Sequence, residues 1–275
     1  GGESPAAVPL LRPMRPPLRL SYSAIESYER CPRCFYLAEI LGLAEDAGPA
    51  MLVGQAAHAA LDRFYRVFRE ADASGGRPPT CDDLVRFGLE ELAAVWPRSR
   101  PIDPADQDRL AAQLRLYYEK LHDPTIHVLE IEAWSGFTYV HNGVEHRFSA
   151  RLDRVDQLPD GGIRIVDYKT GQATKRLREP AADDLQLGVY ALAARSLLGG
   201  TTHNGDGGEE PVPLRGRAEY WILSTGTRGT IDLASIDEAA IRARIDAAIE
   251  GMLEGRFPRG ESCEGGACAI FGLDD

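Results

Sequence analysis

From Met51 to about Glu70, the stretch MLVGQAAHAALDRFYRVFRE carries Leu61, Phe64 and Phe68 at helical spacing, which predicts an amphipathic helix with His58 inside it. Two more helical stretches are expected near 82–95 and 105–121. Upstream, Ser23 followed three residues later by Glu26 reads as a capping box that opens a short helix, AIESYER, interrupted at Pro32. The texture changes at Ile126. IHVLEIEAWSGFTYV, EHRFSARLDRVDQL and IRIVDYK are β-rich and separated by the turn signals HNG and PDGG, which predicts three consecutive antiparallel strands. DDLQLGVYALAARSLL reads as a helix with acids in its first turn, where the helix dipole favours them. A Gly-rich polar loop from 199 to about 210, a strand at RAEYWILS and a final helix complete the pattern. Ser235 with Glu238 is expected to cap that helix, and Ile241, Ile245 and Ile249 form its apolar stripe.

Helices, a strand meander, a helix, a strand and a helix together suggest an α/β domain with a central mixed sheet flanked by helices and an N-terminal helical lobe. The opening GGESPAAVPLLRPMRPPLR is expected to be a cleavage scar and Pro-rich linker over residues 1–19. The remainder, 20–275, is expected to form a single domain. Its parts would be the helical lobe at about 20–122, a core at about 123–258 and a C-terminal cysteine segment at 259–275.

Composition narrows the class. The 275 residues are 44% hydrophobic and 27% charged, an ordinary globular balance. A formal net charge of −11 argues against a surface that binds nucleic acid by bulk positive charge, so any such function must rest on a local site. No run of about 18 apolar residues predicts a membrane span, and a cytoplasmic location is the expectation. Five cysteines, an odd number, fit metal or cluster ligation better than a disulfide scaffold.

The candidate chemistry concentrates in RLDRVDQLPDGGIRIVDYKTGQ, residues 151–172. Strand alternation puts Asp167 and Lys169 on one face. With an odd-length turn centred on Asp160, positions summing to 320 pair, so Asp153 faces Asp167. Opposed like charges in a ladder are destabilising, and a divalent cation between or beside them relieves this. Asp156, three residues from Asp153, is expected to face the other way, as a solvent or salt-bridge partner. An ordinary exposed charge cluster is the competing reading.

ARLDRVD…IVDYKTG followed by LQLGVY resembles the RecB-family branch of the PD-(D/E)xK nuclease superfamily, in which a strand aspartate, a D-x-K strand and a helical Q-x-x-x-Y follow in this order. LSYSAIESYERCPRCFYL resembles that family's N-terminal helix and cysteine, and VGQAAHAALDRF its histidine-bearing helix. The resemblance implies a restriction-endonuclease-like fold and a Mg²⁺- or Mn²⁺-dependent deoxyribonuclease. Its expected mode is exonuclease action on single-stranded DNA or DNA ends in repair and recombination, with a helicase as domain or subunit partner. Carried onto this chain, Asp153 and Asp167 become metal ligands, Lys169 the catalytic lysine and His58 a further ligand. Gln186 and Tyr190 share a helix face beside the site. Glu132, with Glu130 on the same strand face, is the candidate glutamate.

Cys31 and Cys34 are separated by two residues, Cys263 and Cys268 by four, the pairs lying near opposite ends of the chain, and their four thiolates can close one site. The family's [4Fe-4S] cluster uses one cysteine before the core and three after it. This chain departs from that pattern, leaving a two-plus-two iron-sulfur cluster, a structural zinc or free thiols, with the resemblance placing iron-sulfur first. Cys81 reads as a plain helix-edge residue. Lys175, Arg176 and Arg178 are candidates to meet DNA phosphates, against a solvated charge run. Tyr22, Tyr28, Phe35 and Tyr36 are candidates to stack on bases, with core packing the commoner use. Two rival functions remain: a weak or inactive DNA-end-binding platform of the same fold in a helicase complex, and a cluster-stapled interaction domain.

Overall fold

The computed structural model describes residues 11–43, 47–198, 201–203, 209–211, 214–261, 263 and 268; most of the expected linker's first half and much of the C-terminal segment lie outside them. In chain order the elements are Arg19–Ser21 (β1), Tyr22–Arg30 (α1), Pro32–Phe35 (α2), a π-helical turn at Tyr36–Ile40, Pro49–Ser74 (α3), Cys81–Val95 (α4) and Pro104–Lys120 (α5). His127–His141 (β2), Val144–Gln157 (β3), Ile163–Lys169 (β4), Lys175–Arg178 (α6) and Leu185–Leu198 (α7) follow. Thr201–His203 (β5), Glu209–Pro211 (β6), Gly216–Ile222 (β7), Thr227–Asp232 (β8), a short turn of 3-10 helix at Leu233–Ser235 and Glu238–Glu254 (α8) complete the chain.

The sheet is mixed and six-stranded, in the order β1-β3-β4-β7-β8 with β2 also paired to β3. β1 runs parallel to β3 and β4 parallel to β7, while β3/β4 and β7/β8 are antiparallel. The expected sheet with flanking helices is therefore present. β1 and β8 were not expected. In β8 the signal is faint, because Gly229 occupies one of its few inward positions. In the expected polar loop after α7, β5 and β6 pair as a small antiparallel ladder, and residues 204–208 lie outside the described residues.

The chain divides into two compact units, one of Gly1–Asp46, Gly136–Ser149 and Glu238–Asp275, the other of Ala47–Ser135 and Ala150–Asp237. In the first, Ser21 rather than Ser23 caps α1, its hydroxyl accepting from the Ala24 N–H at 3.1 Å. Pairing of β1 with Arg147–Ser149 keeps Ser21 extended, so the helix starts at the next residue, a tertiary constraint invisible to local pattern. Tyr28, Phe35 and Tyr36 are core residues, and Tyr28 and Tyr36 both pack on Phe257. α8 begins at Glu238, and Ser235 belongs to the preceding 3-10 turn instead of capping it. Ile241, Ile245 and Ile249 are fully buried, as the stripe predicts. Asn142 and Gly143, with φ of 48° and 76°, make the tight hairpin turn that HNG signalled.

In the second unit, α3 starts with Pro49 in its first turn and stops at Gly75 in a left-handed conformation. Its Leu61, Phe64, Tyr65 and Phe68 form one cluster with residues of α4 and α5 and with Val166, Tyr168, Trp221 and Leu223 of the sheet region. Each such large apolar side chain contributes ~1.5–3 kcal/mol on burial. The helices of residues 49–120 and strands β4 and β7 are thus held by a single apolar core.

β3 and β4 pair as Arg154↔Val166, Val155↔Ile165, Asp156↔Arg164 and Gln157↔Ile163, the register centred on Asp160. Asp156 points away from Asp153, as alternation requires. It is a salt-bridge partner and wholly buried, ion-paired with Arg154 at 2.8 and 3.0 Å and with Arg164 at 2.9 Å. Arg154 in turn lies over the rings of Tyr65 and Trp221, at 4.2 and 4.5 Å.

Candidate active site

The site grows from the C-terminal end of β4. Asp167 and Lys169 leave the strand on the same face, and Lys169 Nζ lies 2.7 Å from Asp167 Oδ2. α7 is buried on every side from Leu185 to Ala194, so a polar side chain there must find partners. Gln186 finds four: its Nε2 donates to Asp167 Oδ1 at 2.7 Å and to Tyr190 Oη at 3.2 Å, and its Oε1 accepts from Lys169 Nζ at 2.9 Å and from Tyr220 Oη at 3.4 Å. One amide thereby holds both halves of the D-x-K pair and orients the tyrosine four residues on. Asp184, just before α7, accepts from the Leu187 N–H and caps the helix, so the acids precede the first turn. Tyr220, lying beneath Lys169, donates to that same oxygen, Oδ1, at 2.7 Å, and Asp184 Oδ2 accepts from Arg176.

Burial pushes the Asp167 carboxyl above its ordinary range, only partly offset by Lys169. Asp153 Oδ2 accepts from the Tyr168 N–H at 2.8 Å, which fixes the carboxylate at the end of the β3/β4 ladder. Its Oδ1 faces His58 Nδ1 at 3.2 Å. α3 can bring His58 this close because Gly54, one turn earlier, has no side chain: a Cβ there would sit 3.1 Å from Thr170 Oγ1. His58 Nε2–H donates to the Tyr168 carbonyl at 3.0 Å, which leaves Nδ1 as the nitrogen directed into the site. Burial alone would lower the His58 pKa, but Asp153, with lesser help from Asp167 and Glu132, raises it to about 9.

Glu132 reaches the same place by an irregular route. Along β2 the buried positions are Val128, Ile131, Ser135, Tyr139 and His141, so strict alternation fails around Glu132, whose φ is +50°. This kink turns its side chain inward, where burial and the neighbouring Asp153 charge raise its pKa to about 7. Glu130, its expected companion, is not part of the ligand group. His58, Glu132 and Asp153 each offer a ligand atom within 4.8 Å of the others. They line a cavity of about 450 Å³ with Gly54, Gln55, Arg151 and Thr170. Two carboxylates and one imidazole nitrogen, crowded enough to raise the pKa of both Glu132 and His58, form a donor set that suits a divalent cation. Asp167 is engaged by Lys169 and Gln186 beside that group.

Two residues went unnoticed in the sequence. Arg151 pairs with Glu132 at the cavity wall, and its guanidinium lies 5.9 Å from the ring centre of Trp134, which is 70% exposed. Alternation already places Arg151 on the face of Asp153, which was the available signal. Of the expected phosphate contacts on α6, Lys175 and Arg178 are exposed, and Arg176 is tied to Asp184.

In the first unit the four cysteines come together. Cys31 and Cys268 sulfurs are 3.8 Å apart, those of Cys34 and Cys263 3.3 Å, and all four lie within 4.8 Å of one another. The N–H groups of Cys34 and Gly260 donate to Cys31 Sγ at 3.4 and 3.2 Å. Burial raises the Cys31 thiol pKa, but these donors, with the Cys263 and Cys34 thiols, bring it down to about 7. Cys81 stands apart at the start of α4.

Among the described residues no helix is long and apolar enough to cross a membrane. Two curated relatives are each named as a subunit of an ATP-dependent helicase/deoxyribonuclease. The protein from Lachnoclostridium phytofermentans is 27% identical over 197 residues, covering 65% of this chain and 17% of its own length. That from Pelotomaculum thermopropionicum is 28% identical over 280 residues, covering 86% and 24%. The chain thus spans about a fifth of the length of these relatives. A solved structure described as the crystal structure of SSO0001 aligns with 94% of this chain and 86% of its own at a TM-score of 0.42 and 14% identity, too distant to bear on function. The model of the PD-(D/E)XK nuclease superfamily matches residues 19–270, nearly the whole chain. With that match over a mixed sheet carrying the Asp153, Asp167 and Lys169 constellation, this chain belongs to the PD-(D/E)XK nuclease superfamily.

Proposed function

We propose that the chain is a divalent-metal-dependent DNA nuclease that acts as an exonuclease on single-stranded DNA or DNA ends, working beside a helicase. The observation that carries this reading is the meeting of two arrangements: a cation-ready group, His58, Glu132 and Asp153, and the adjacent Asp167–Lys169 pair clamped by Gln186. Mg²⁺ or Mn²⁺ would be held by His58, Glu132 and Asp153, with Asp167 as the further candidate ligand. A bound cation supplies Lewis-acid chemistry, neutralising charge on the phosphate and making water a better nucleophile.

The chain's own residues supply the rest. An ammonium has three donors; Lys169 gives one to Gln186 and is ion-paired with Asp167 at 2.7 Å, which leaves donor capacity for a phosphate oxygen or the attacking water. Gln186 and Tyr190 hold that geometry from a buried helix, so it is ready before substrate arrives. Arg151, Lys175 and Arg178 can meet backbone phosphates. The exposed Trp134, with Arg151 beside it at the cavity wall, suits an unpaired base and supports the single-strand preference. The helicase partner is supported by the names of the two relatives, of which this chain matches a minor part.

The test follows end-labelled linear and covalently closed single-stranded DNA with Mg²⁺, Mn²⁺ or EDTA, comparing wild type with Asp167→Ala and Lys169→Ala. Metal-dependent loss of linear DNA alone, abolished by either substitution, is the expected result. Cutting of the closed circle would add endonuclease action. Binding without cleavage under any metal would move the reading to a DNA-end-binding platform, and cleavage unchanged in both variants would place the chemistry elsewhere.

A further inference from the structure

The four-cysteine group carries information about what it holds. Each thiolate of a [4Fe-4S] cluster binds its own iron at a different corner of a cube, so the sulfurs stand on the order of 6 Å apart. A single tetrahedral ion shared by four thiolates at ~2.3 Å draws the sulfurs to about 3.8 Å. The separations here are 3.8 Å for Cys31–Cys268 and 3.3 Å for Cys34–Cys263, with none of the four beyond 4.8 Å from another. The cubane that the family resemblance implies does not fit inside this set.

A pair of disulfides fits less well than an ion. A disulfide accounts for two sulfurs at a time at ~2.05 Å, and gives no reason for all four to converge. The amide donors of Cys34 and Gly260, both aimed at Cys31 Sγ, suit a sulfur that carries thiolate charge. Three of the four cysteines are buried, and Leu37 packs against them, so a closed structural site is the geometry on offer.

We infer that Cys31, Cys34, Cys263 and Cys268 hold one tetrahedral zinc ion in place of a [4Fe-4S] cluster. The ion ties the CPRC segment to residues 229 and 237 positions further along the chain. Folding of the first unit then depends on metal, since an ion that binds only the folded chain stabilises it. The inference is independent of the nuclease reading, because it concerns the other unit and uses none of the cavity's residues.

The test is anaerobic purification followed by metal and acid-labile sulfide analysis and visible absorption, so that zinc taken up through oxidative loss of a cluster is not mistaken for the native occupant. The same protein is then stripped and offered iron with sulfide, zinc or cobalt in parallel. One zinc per chain, no sulfide, failure to build a brown chromophore, and a cobalt form with intense visible bands of tetrahedral thiolate coordination are the expected results. Cys34→Ser and Cys263→Ser should each abolish that cobalt spectrum, and Cys81→Ser should leave it unchanged. Should the serine variants fail to fold, cobalt titration of the stripped wild type still reads the site. About four irons and four sulfides per chain, a single iron without zinc, or a metal-free protein with two disulfides would each overturn the inference.

Discussion

Asp156→Asn tests the buried charge group on β3 and β4, the strands that carry the candidate site. Asp156 is fully buried: its Oδ2 accepts from Arg154 Nη2 at 3.0 Å and from Arg164 Nε at 2.9 Å, and Arg154 Nε and Arg164 Nη2 stand at ion-pair distances of 2.8 and 2.9 Å from its oxygens, so one carboxylate neutralises two guanidinium groups. Asparagine keeps the shape but removes the charge and turns one acceptor into a donor that faces other donors. Two buried cations then share a neutral partner. At an effective dielectric of about 20, a unit charge pair ~4 Å apart is worth ~4 kcal/mol, and breaking a buried pair from one side costs ~3–5 kcal/mol. We expect a loss of about 4–5 kcal/mol of stability. Arg154→Met should cost less, ~2–3 kcal/mol. It forfeits bonds to Asp156, Tyr117 and Tyr168, yet leaves Asp156 and Arg164 as a neutral pair and relieves the burial of one guanidinium. Urea unfolding followed by tryptophan fluorescence measures both, because Trp221 is buried with Arg154, Arg164 and Arg228 over its ring at 4.5, 4.9 and 4.4 Å. A reversed order of the two variants, or an Asp156→Asn cost under ~1 kcal/mol, would refute the reasoning.

Other expectations follow from the site. Gln186→Met removes both the acceptor for Lys169 and the donor to Asp167, so kcat for DNA cleavage should fall by about 10²-fold or more with little change in DNA affinity, since ~3 kcal/mol of positioning is lost; a change in affinity alone would count against it. Mn²⁺ should bind and activate at lower concentration than Mg²⁺, because one of the three donors is an imidazole nitrogen. Metal binding must displace protons from Glu132, near 7, and His58, near 9, so calorimetric affinity should strengthen as pH rises from 6 through 9, and Asp153→Asn should weaken it. His122 is pushed down to about 4 by burial and by Arg154, from 6.5. Between those values the unfolded chain binds the extra proton, so this contribution to stability is whole above pH 6.5 and is lost as pH falls towards 4. His122→Phe should flatten that part of the stability profile.

Much of the site is local in origin and could be read from the residues. The PDGG turn and period-2 alternation determine the β3/β4 register centred on Asp160, and the shared face of Asp167 and Lys169. The 3.6-residue stripe of α3 determines that His58 sits on a long amphipathic helix, and four-residue spacing determines that Gln186 and Tyr190 look the same way. What was not legible depends on partners far away in sequence. Glu132 enters the site through a backbone kink that breaks the alternation of β2, so no periodic rule distinguishes it from Glu130. Ser21 displaces Ser23 as helix cap because a strand over a hundred residues later holds it extended. Asp156 is a buried counter-ion for two arginines because the helices of residues 49–120 cover that face of the sheet, a fact about layers. Cysteine spacing allows a cluster, a zinc ion or free thiols, while the sulfur separations on which a single ion and a cubane differ exist only once Cys31 and Cys34 have met Cys263 and Cys268. Local pattern records the period and the turns; burial, kinks and distances between remote segments are properties of the packed chain, because they are set by what lies on the other side of each surface.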